Sequence, residues 1–508
     1  MKPIVWVARS LERISRQERP RDETRAQLRA ARGESESFQI VVRALGGDLT
    51  TVNVTRPELV SAAGDRIARE RISLYREQYV TVSHGSPKRG GPVEPLGPGT
   101  YPDALIPFHH PKTGEPLSGA ALTAAPFDLG VGENQPIWVD VGVPRETAPG
   151  EYCGSFTVSS DQGSAEIELR LRVWNFDLPL RPSQYTAFGL RSGSNRAAVE
   201  ELLRHKVMPY HVDPPHEREL IDQSGLNCTN LGFRSGGSYS RREMSEAPTV
   251  DEIRTRAGLH QQDLLLYNYT ADEIGGSPEL HERIKGWARN LHEAKIPNLI
   301  TIMPVPDLVD DGSGSGRSAV DIWVLLPVMY DSDPEAIAQV LAKGDTVWSY
   351  TALVQDDYSP KWEIDFEPIN YRILHGFINQ SLGLTGYLYW AADLWSKDDP
   401  WSKAPIYGLN DARYEPHTYP GEGHLVYPGE QVGLEGVVAS MRLKWVRDGM
   451  DDYEYVEMLK RLGQERRALE VARTVGRDWR HWTKDPDELE RAKGQLGEEI
   501  EQLTTTSA

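Results

Sequence analysis

Cysteine is nearly missing from this chain. Cys153 and Cys228 are the two among 508 residues, far apart, with no CxxC pair and no histidine at ligand spacing. That excludes a disulfide framework and a cysteine-based zinc site, and both residues read as buried thiols. Long apolar runs are missing too. None approaches the roughly 20 residues of a membrane-spanning helix. The short run near the N-terminus, followed at once by dense charge, is too brief for a signal-peptide core, so the expectation is a cytoplasmic protein with no membrane partner. Positive charge is in deficit: 56 Lys and Arg stand against 75 Asp and Glu, for a net charge of -19. Nucleic acid and anionic membrane surfaces are polyanions, and such a chain is a poor match for either.

What is present is globular and rich in aromatics. The chain is 39% apolar and 26% charged, with 13 Trp and 21 Tyr. Aromatic faces stack on sugar rings, although most of them serve as core. The length predicts two or three domains.

To about Asp177 the pattern is β. Alternating runs recur between turn signals at 37–45, 51–59, 135–144, 150–160 and 165–176, which points to an antiparallel sandwich. The Gly- and Pro-rich stretch 84–108 reads as a long loop reaching toward a neighbouring domain. The segment 177–183 reads as a restricted linker. From Tyr185 apolar runs alternate with amphipathic ones. Eight candidate strands (185–190, 206–212, 226–233, 264–270, 297–303, 321–327, 345–353 and 384–391) have candidate helices between them, the arrangement of a (β/α)8 barrel. Segments 451–462, 468–482 and 487–503 read as charged amphipathic helices capping that barrel. The predicted architecture is therefore a multidomain α/β chain: a β-sandwich over 1–180, a (β/α)8 TIM barrel over 181–440 and a helical region over 441–508.

In such barrels chemistry sits at the C-terminal ends of strands. The fourth candidate strand, LLLYNYT, runs into Asp272 and Glu273, followed by Gly275 and Gly276. Two carboxylates this close do not ionise independently. A proton held on Glu273 makes it a general acid, while an ionised Asp272 orients a neighbour. A solvated loop or a helix N-terminus attracts the same dipeptide, and by itself the dipeptide favours that plainer explanation. Trp348 and Tyr350 close the seventh strand. Tyr389, Trp390, Asp393 and Trp395 close the eighth, offering a sugar platform and a hydroxyl acceptor, with inter-strand core as the alternative. There is no Gly-x-Ser-x-Gly elbow, and GSGSG (312–316) lacks the Lys-Ser/Thr of a phosphate loop. No cofactor or metal is expected.

The segments ARGESESFQIVV (31–42), GTYPDALIP (99–107), NQPIWVDVGVP (134–144), GEYCGSFTV (150–158), TGYLYWAADLW (385–395), GHLVYPG (423–429) and SMRLKWVRDGMDDYEYVEML (440–459) form a distinctive set. Together they resemble glycoside hydrolase family 123 and its wider group, which carries the region known as domain of unknown function 4091. The resemblance implies a β-N-acetylgalactosaminidase with a sandwich, a barrel and a substrate-assisted retaining mechanism. It implies that Glu273 is the acid and that Asp272 holds the 2-acetamido N–H. It also makes Trp348, Tyr350 and Trp390 candidates for enclosing the acetamide. In such a mechanism the sugar supplies the nucleophile, so the pair of carboxylates about 5 Å apart across the bond is not needed. The family's acid pair is followed by Pro, whereas this chain has Ile274. The expected partner is an oligosaccharide or glycoconjugate. Two alternatives stand beside this reading: a glycosidase for a sugar lacking the acetamido group, using Asp393 or Glu367 as a further carboxylate, and a non-catalytic carbohydrate-binding protein.

Overall fold

The structure is a computed structural model and describes residues 2–191, 195–395 and 399–506. Its first part is two packed sheets. One runs in the order Ile4–Arg9, Ser35–Arg43, Asn134–Gly142, Ile72–Val82 and Gly99–Pro107, antiparallel throughout. The other runs Arg25–Arg32, Gly163–Asp177, Gly150–Ser160, Leu49–Thr55 and Phe127–Leu129, with Leu59–Ser61 and Arg66–Ile67 attached. Phe38, Ile40 and Val42 face Ile167, Leu169 and Leu171 in the core between them. The sandwich departs from the expected antiparallel pattern at one pair, since Arg25–Arg32 runs parallel to Gly163–Asp177.

The stretch 84–108, expected to be loop, is loop only in its first part. Gly99–Pro107 is a sheet-edge strand, where Pro102 sits at a register shift opposite Tyr79 and costs no ladder bond. Residues 84–98 cross to the barrel as expected. Val93 N–H donates to Asp357 O (3.1 Å) and Leu96 N–H to Asp365 O (2.7 Å). The Ser86 N–H and hydroxyl both donate to the Asp365 carboxylate, each at 2.7 Å.

From Tyr185 onward a parallel sheet curls into a nearly closed barrel. Its seven strands are Tyr185–Phe188, Cys228–Asn230, Leu265–Asp272, Asn298–Thr301, Ile322–Leu325, Thr346–Tyr350 and Gly386–Tyr389. The gap between the first two is bridged by the segment at Met208–Tyr210. Phe188 N–H donates to Met208 O, Tyr210 N–H to Phe188 O, and Asn230 N–H to Tyr210 O. Counting that segment second makes Leu265–Asp272 the fourth position.

The helix Met441–Leu459 is buried nearly all round, where 451–462 was expected to be a charged amphipathic helix. Ser440 caps it, and all but Glu457 and Met458 are buried. It lies against the sandwich face that carries Trp138, with Trp138 and Trp445 edge to face at 6.4 Å. Its charges are paired inside the protein. Arg442 meets Asp103 at 2.8 Å, Lys444 meets Asp140 at 2.6 Å, and Asp452 meets Arg372 at 2.7 Å. Sheet residues between the second sheet and this helix are covered on both faces, and burial is unbroken from Asn134 to Val141 although the sequence there alternates. The helices Glu465–Val475 and Pro486–Thr506 complete the C-terminal part, and residues 507–508 lie outside the described residues. Of the two thiols expected to be buried, Cys228 is, and donates to Thr186 O. Cys153 is exposed, on the outward side of Gly150–Ser160.

Candidate active site

Strand side chains alternate, so Tyr269 and Asp272 should point to opposite faces. They do not, because Thr270 is inserted as a bulge. Tyr269 pairs with Leu299, whereas Ala271 pairs with Ile300 and Asp272 with Thr301. The extra residue re-aims the strand end. Tyr269 Oη then donates to Asp272 Oδ1 at 2.8 Å, and the Thr301 hydroxyl, from the end of the fifth strand, donates to the same oxygen at 2.7 Å.

Glu273 follows in a left-handed backbone conformation, φ 51°. That turn brings two consecutive side chains toward one cleft. Its N–H donates to Thr301 Oγ1 at 2.7 Å, so one threonine ties down both acids. The Glu273 carboxylate accepts a 2.6 Å hydrogen bond from Tyr350 Oη, delivered by the seventh strand. Burial pushes the Glu273 carboxyl above the ordinary range. The Tyr350 hydrogen bond opposes that shift, and the charge of Asp272 adds to it.

An aromatic wall rises beside the pair. Trp390 Nε1 donates to the buried Glu422 carboxylate, which also accepts Leu353 N–H at 3.0 Å. The Trp390 ring meets Tyr407 at 5.3 Å, and the Tyr407 and Tyr414 hydroxyls are 3.0 Å apart. Tyr239 continues the wall on the loop after the third strand. Its phenol is pushed up by its hydrogen bond to Tyr414, by burial, and in smaller part by the charge of Glu273.

Of the residues expected in the site, Asp272, Glu273 and Tyr350 come together, with Trp390 in the wall. Trp348 lies on the same face as Tyr350 but one layer deeper. It is 0% exposed, stacked 6.2 Å from Tyr185 and edge-on to Tyr267 at 5.6 Å, and forms the floor of the barrel. Tyr389 points to the other side of its strand, packs on Phe188 and Trp362, and accepts Gly423 N–H at 3.0 Å. Asp393 accepts Arg191 N–H at 2.7 Å, and Trp395 Nε1 donates to Val426 O at 2.8 Å. These three shape loops. Tyr269, Thr301, Glu422, Tyr407, Tyr414 and Tyr239 were not expected. For Tyr269 and Thr301 the signal was their place at the ends of neighbouring strands.

Comparison with known proteins bears on this geometry. Residues 10–160 match the glycoside hydrolase 123 N-terminal domain and residues 318–459 the glycoside hydrolase 123 catalytic domain. The chain belongs to glycoside hydrolase family 123. It is thus a glycosidase, and Asp272 and Glu273 fall between the two matched stretches. A family 123 glycoside hydrolase from Clostridium perfringens, studied for glycolipid glycan hydrolysis, aligns with a TM-score of 0.67 over 100% of both chains at 13% identity. That likeness shows the fold of this family 123 hydrolase. A Parabacteroides merdae β-glucuronidase aligns with a TM-score of only 0.28 at 10% identity, over 78% of this chain and 49% of its own, too low to say anything further. No curated protein matches. Among the described residues no helix is long and apolar enough to cross a membrane, and no group of three His, Cys, Asp or Glu could hold a metal ion.

Proposed function

We propose that this family 123 hydrolase is an exo-acting, retaining β-N-acetylhexosaminidase, acting on β-linked N-acetylgalactosamine through an oxazoline intermediate. The observation that carries the reading is the division of labour between the two adjacent carboxylates. Asp272 Oδ1 is taken by two hydroxyl donors, which leaves Oδ2 to accept the acetamido N–H of a bound sugar. Glu273 has one oxygen on Tyr350 and a raised affinity for a proton, which leaves the other to serve as acid.

In the first step Glu273 gives its proton to the glycosidic oxygen as the C1–O bond breaks. The acetamide carbonyl oxygen bonds to C1 while Asp272 holds the N–H and offsets the positive charge that develops on the ring. In the second step water adds to C1, its proton goes to Glu273, and the bond from the acetamide oxygen breaks. Two inversions retain the β configuration. A protein nucleophile would need a second carboxylate about 5 Å from the acid. The nearby acids are otherwise engaged: Asp393 holds Arg191 N–H, and Glu422 holds Trp390 and Leu353. Glu367 is exposed just before the helix Ile369–Ile373.

The test uses a β-linked N-acetylgalactosaminyl disaccharide, beside its gluco counterpart and a plain galactoside. Glu273→Gln should cost about 10²–10⁴-fold in kcat, with Asp272→Asn also losing rate. A thiazoline mimic of the oxazoline should inhibit competitively. Its failure to inhibit, with hydrolysis intact, would sink substrate assistance.

A further inference from the structure

In a chain of net charge -19, the rim of this cleft carries arginines whose guanidinium groups form no ion pair among the described residues. Arg191, just after the first barrel strand, is fixed twice. Its N–H donates to Asp393, and its guanidinium carbon lies 5.4 Å above the Trp390 ring, which Glu422 holds in turn. Among the described residues its guanidinium forms no hydrogen bond and no ion pair. Arg413, by contrast, is spent on Asp411 at the same mouth. Stacking on an indole covers a guanidinium face and leaves its N–H edge free in the plane, the edge that meets a carboxylate or sulfate with two parallel hydrogen bonds. The edge is near the chemistry. Tyr210, whose N–H donates to Phe188 O on the strand that leads to Arg191, packs edge to face on Tyr269 at 5.9 Å, and Tyr269 Oη donates to Asp272. The Tyr210 phenol, raised by burial, is raised further by Asp272 and lowered by Arg191.

The loop after the third barrel strand repeats the pattern. Ser238 and Arg241 close a turn, and Ser238 pairs with Asp272. Next in the chain is Arg242, whose Nη2 lies 3.9 Å from where a side chain at Gly276 would begin, three residues past Glu273. Neither Arg241 nor Arg242 forms an ion pair among the described residues. A neutral sugar can offer these N–H groups only hydroxyl acceptors, whereas a carboxylate or sulfate meets them with charge-assisted pairs of roughly twice the strength. An anionic one would be repelled by Asp272 unless cations stood nearby.

We propose that the natural substrate carries an anionic substituent, a carboxylate or a sulfate ester, on the sugar at the scissile bond or on its neighbour. Arg191 grips it in bidentate fashion, and Arg241 and Arg242 supply the surrounding positive field. This deepens the hexosaminidase reading and rests on it for the position of the bond cleaved.

Two measurements decide it. The first compares kcat/KM for a neutral β-N-acetylgalactosaminide, its 6-sulfate, and a disaccharide whose second sugar is neutral or a uronic acid. One anionic member should exceed its neutral counterpart by about tenfold, and the gap should shrink as salt rises. Arg191→Met should bring that ratio near one, with Arg191→Lys in between. The sulfated and uronate arms separate the two sources of charge. No anionic preference, or an equal loss on neutral and anionic substrates in Arg191→Met, overturns the proposal and leaves Arg191 as a prop for Trp390. The second measurement is calorimetric binding of the same glycans to the Glu273→Gln variant, with and without Arg191→Met. Tighter binding of the anionic glycan that disappears with Arg191 supports the proposal even if hydrolysis fails, a failure that would count against the hexosaminidase reading alone. Equal binding of both glycans overturns it.

Discussion

Tyr350 and Asp272 pull the Glu273 carboxyl in opposite directions, and that balance gives the pH profile a handle. Glu273 acts as an acid in its protonated form, so activity is lost as pH rises through its pKa. The Tyr350 hydroxyl stabilises the ionised form. Tyr350→Phe should therefore raise the pKa further and move the alkaline limb of kcat/KM to higher pH. A limb that stays put or moves down would show that another group titrates there. At this scale the sequence was legible in part. The adjacent acids stood out, and Trp348 and Tyr350 were placed together at the end of the seventh strand. Alternation gives a face but not a depth, so a floor residue passed for a wall residue. Tyr269 stayed hidden for another reason: the inserted Thr270 changes which neighbours share a face, and no local pattern announces a bulge.

Among the elements, the eighth barrel strand is shaped by what it lacks. A Cβ at Gly386 would overlap the Trp348 indole, itself enclosed by Tyr185 and Tyr267. Gly386→Ala should destabilise the fold by about 1–3 kcal/mol through overpacking, read as a lower urea midpoint; an unchanged midpoint would mean that the barrel floor yields freely. The barrel strands were readable as apolar runs between helical stretches because both their faces are covered. The second position is a lone bridge at Pro209, held by its neighbours and not by its own propensity. The helix Met441–Leu459 was misjudged for a different reason. Charges in one sequence look the same whether water or a distant residue pairs them. Here Asp103, Asp140 and Arg372, remote in the chain, do the pairing.

Across the whole molecule, that helix joins the sandwich to the barrel through buried charge. Arg442 and Asp103 are both 0% exposed; burial raises the Asp103 carboxyl, and the guanidinium overrides it and holds it below the ordinary range. Asp103→Asn should leave a buried cation unmatched and cost about 3–5 kcal/mol, whereas Asp103→Leu with Arg442→Met together should cost less. Urea unfolding of the three variants separates these outcomes, and a double variant worse than the single would refute the account. The sandwich and the barrel were visible from composition and periodicity, but the contacts between them were not, since they join residues hundreds of positions apart. One such contact reaches beyond stability. The strap at 84–98 supplies partners to Asp357 and Asp365, on the loops beyond the seventh strand. A barrel copied into another gene without its strap would arrive with those groups unanswered. Swapping the sandwich for a foreign one should therefore be tolerated only when the strap travels with it, so that the two halves behave as one exchangeable unit.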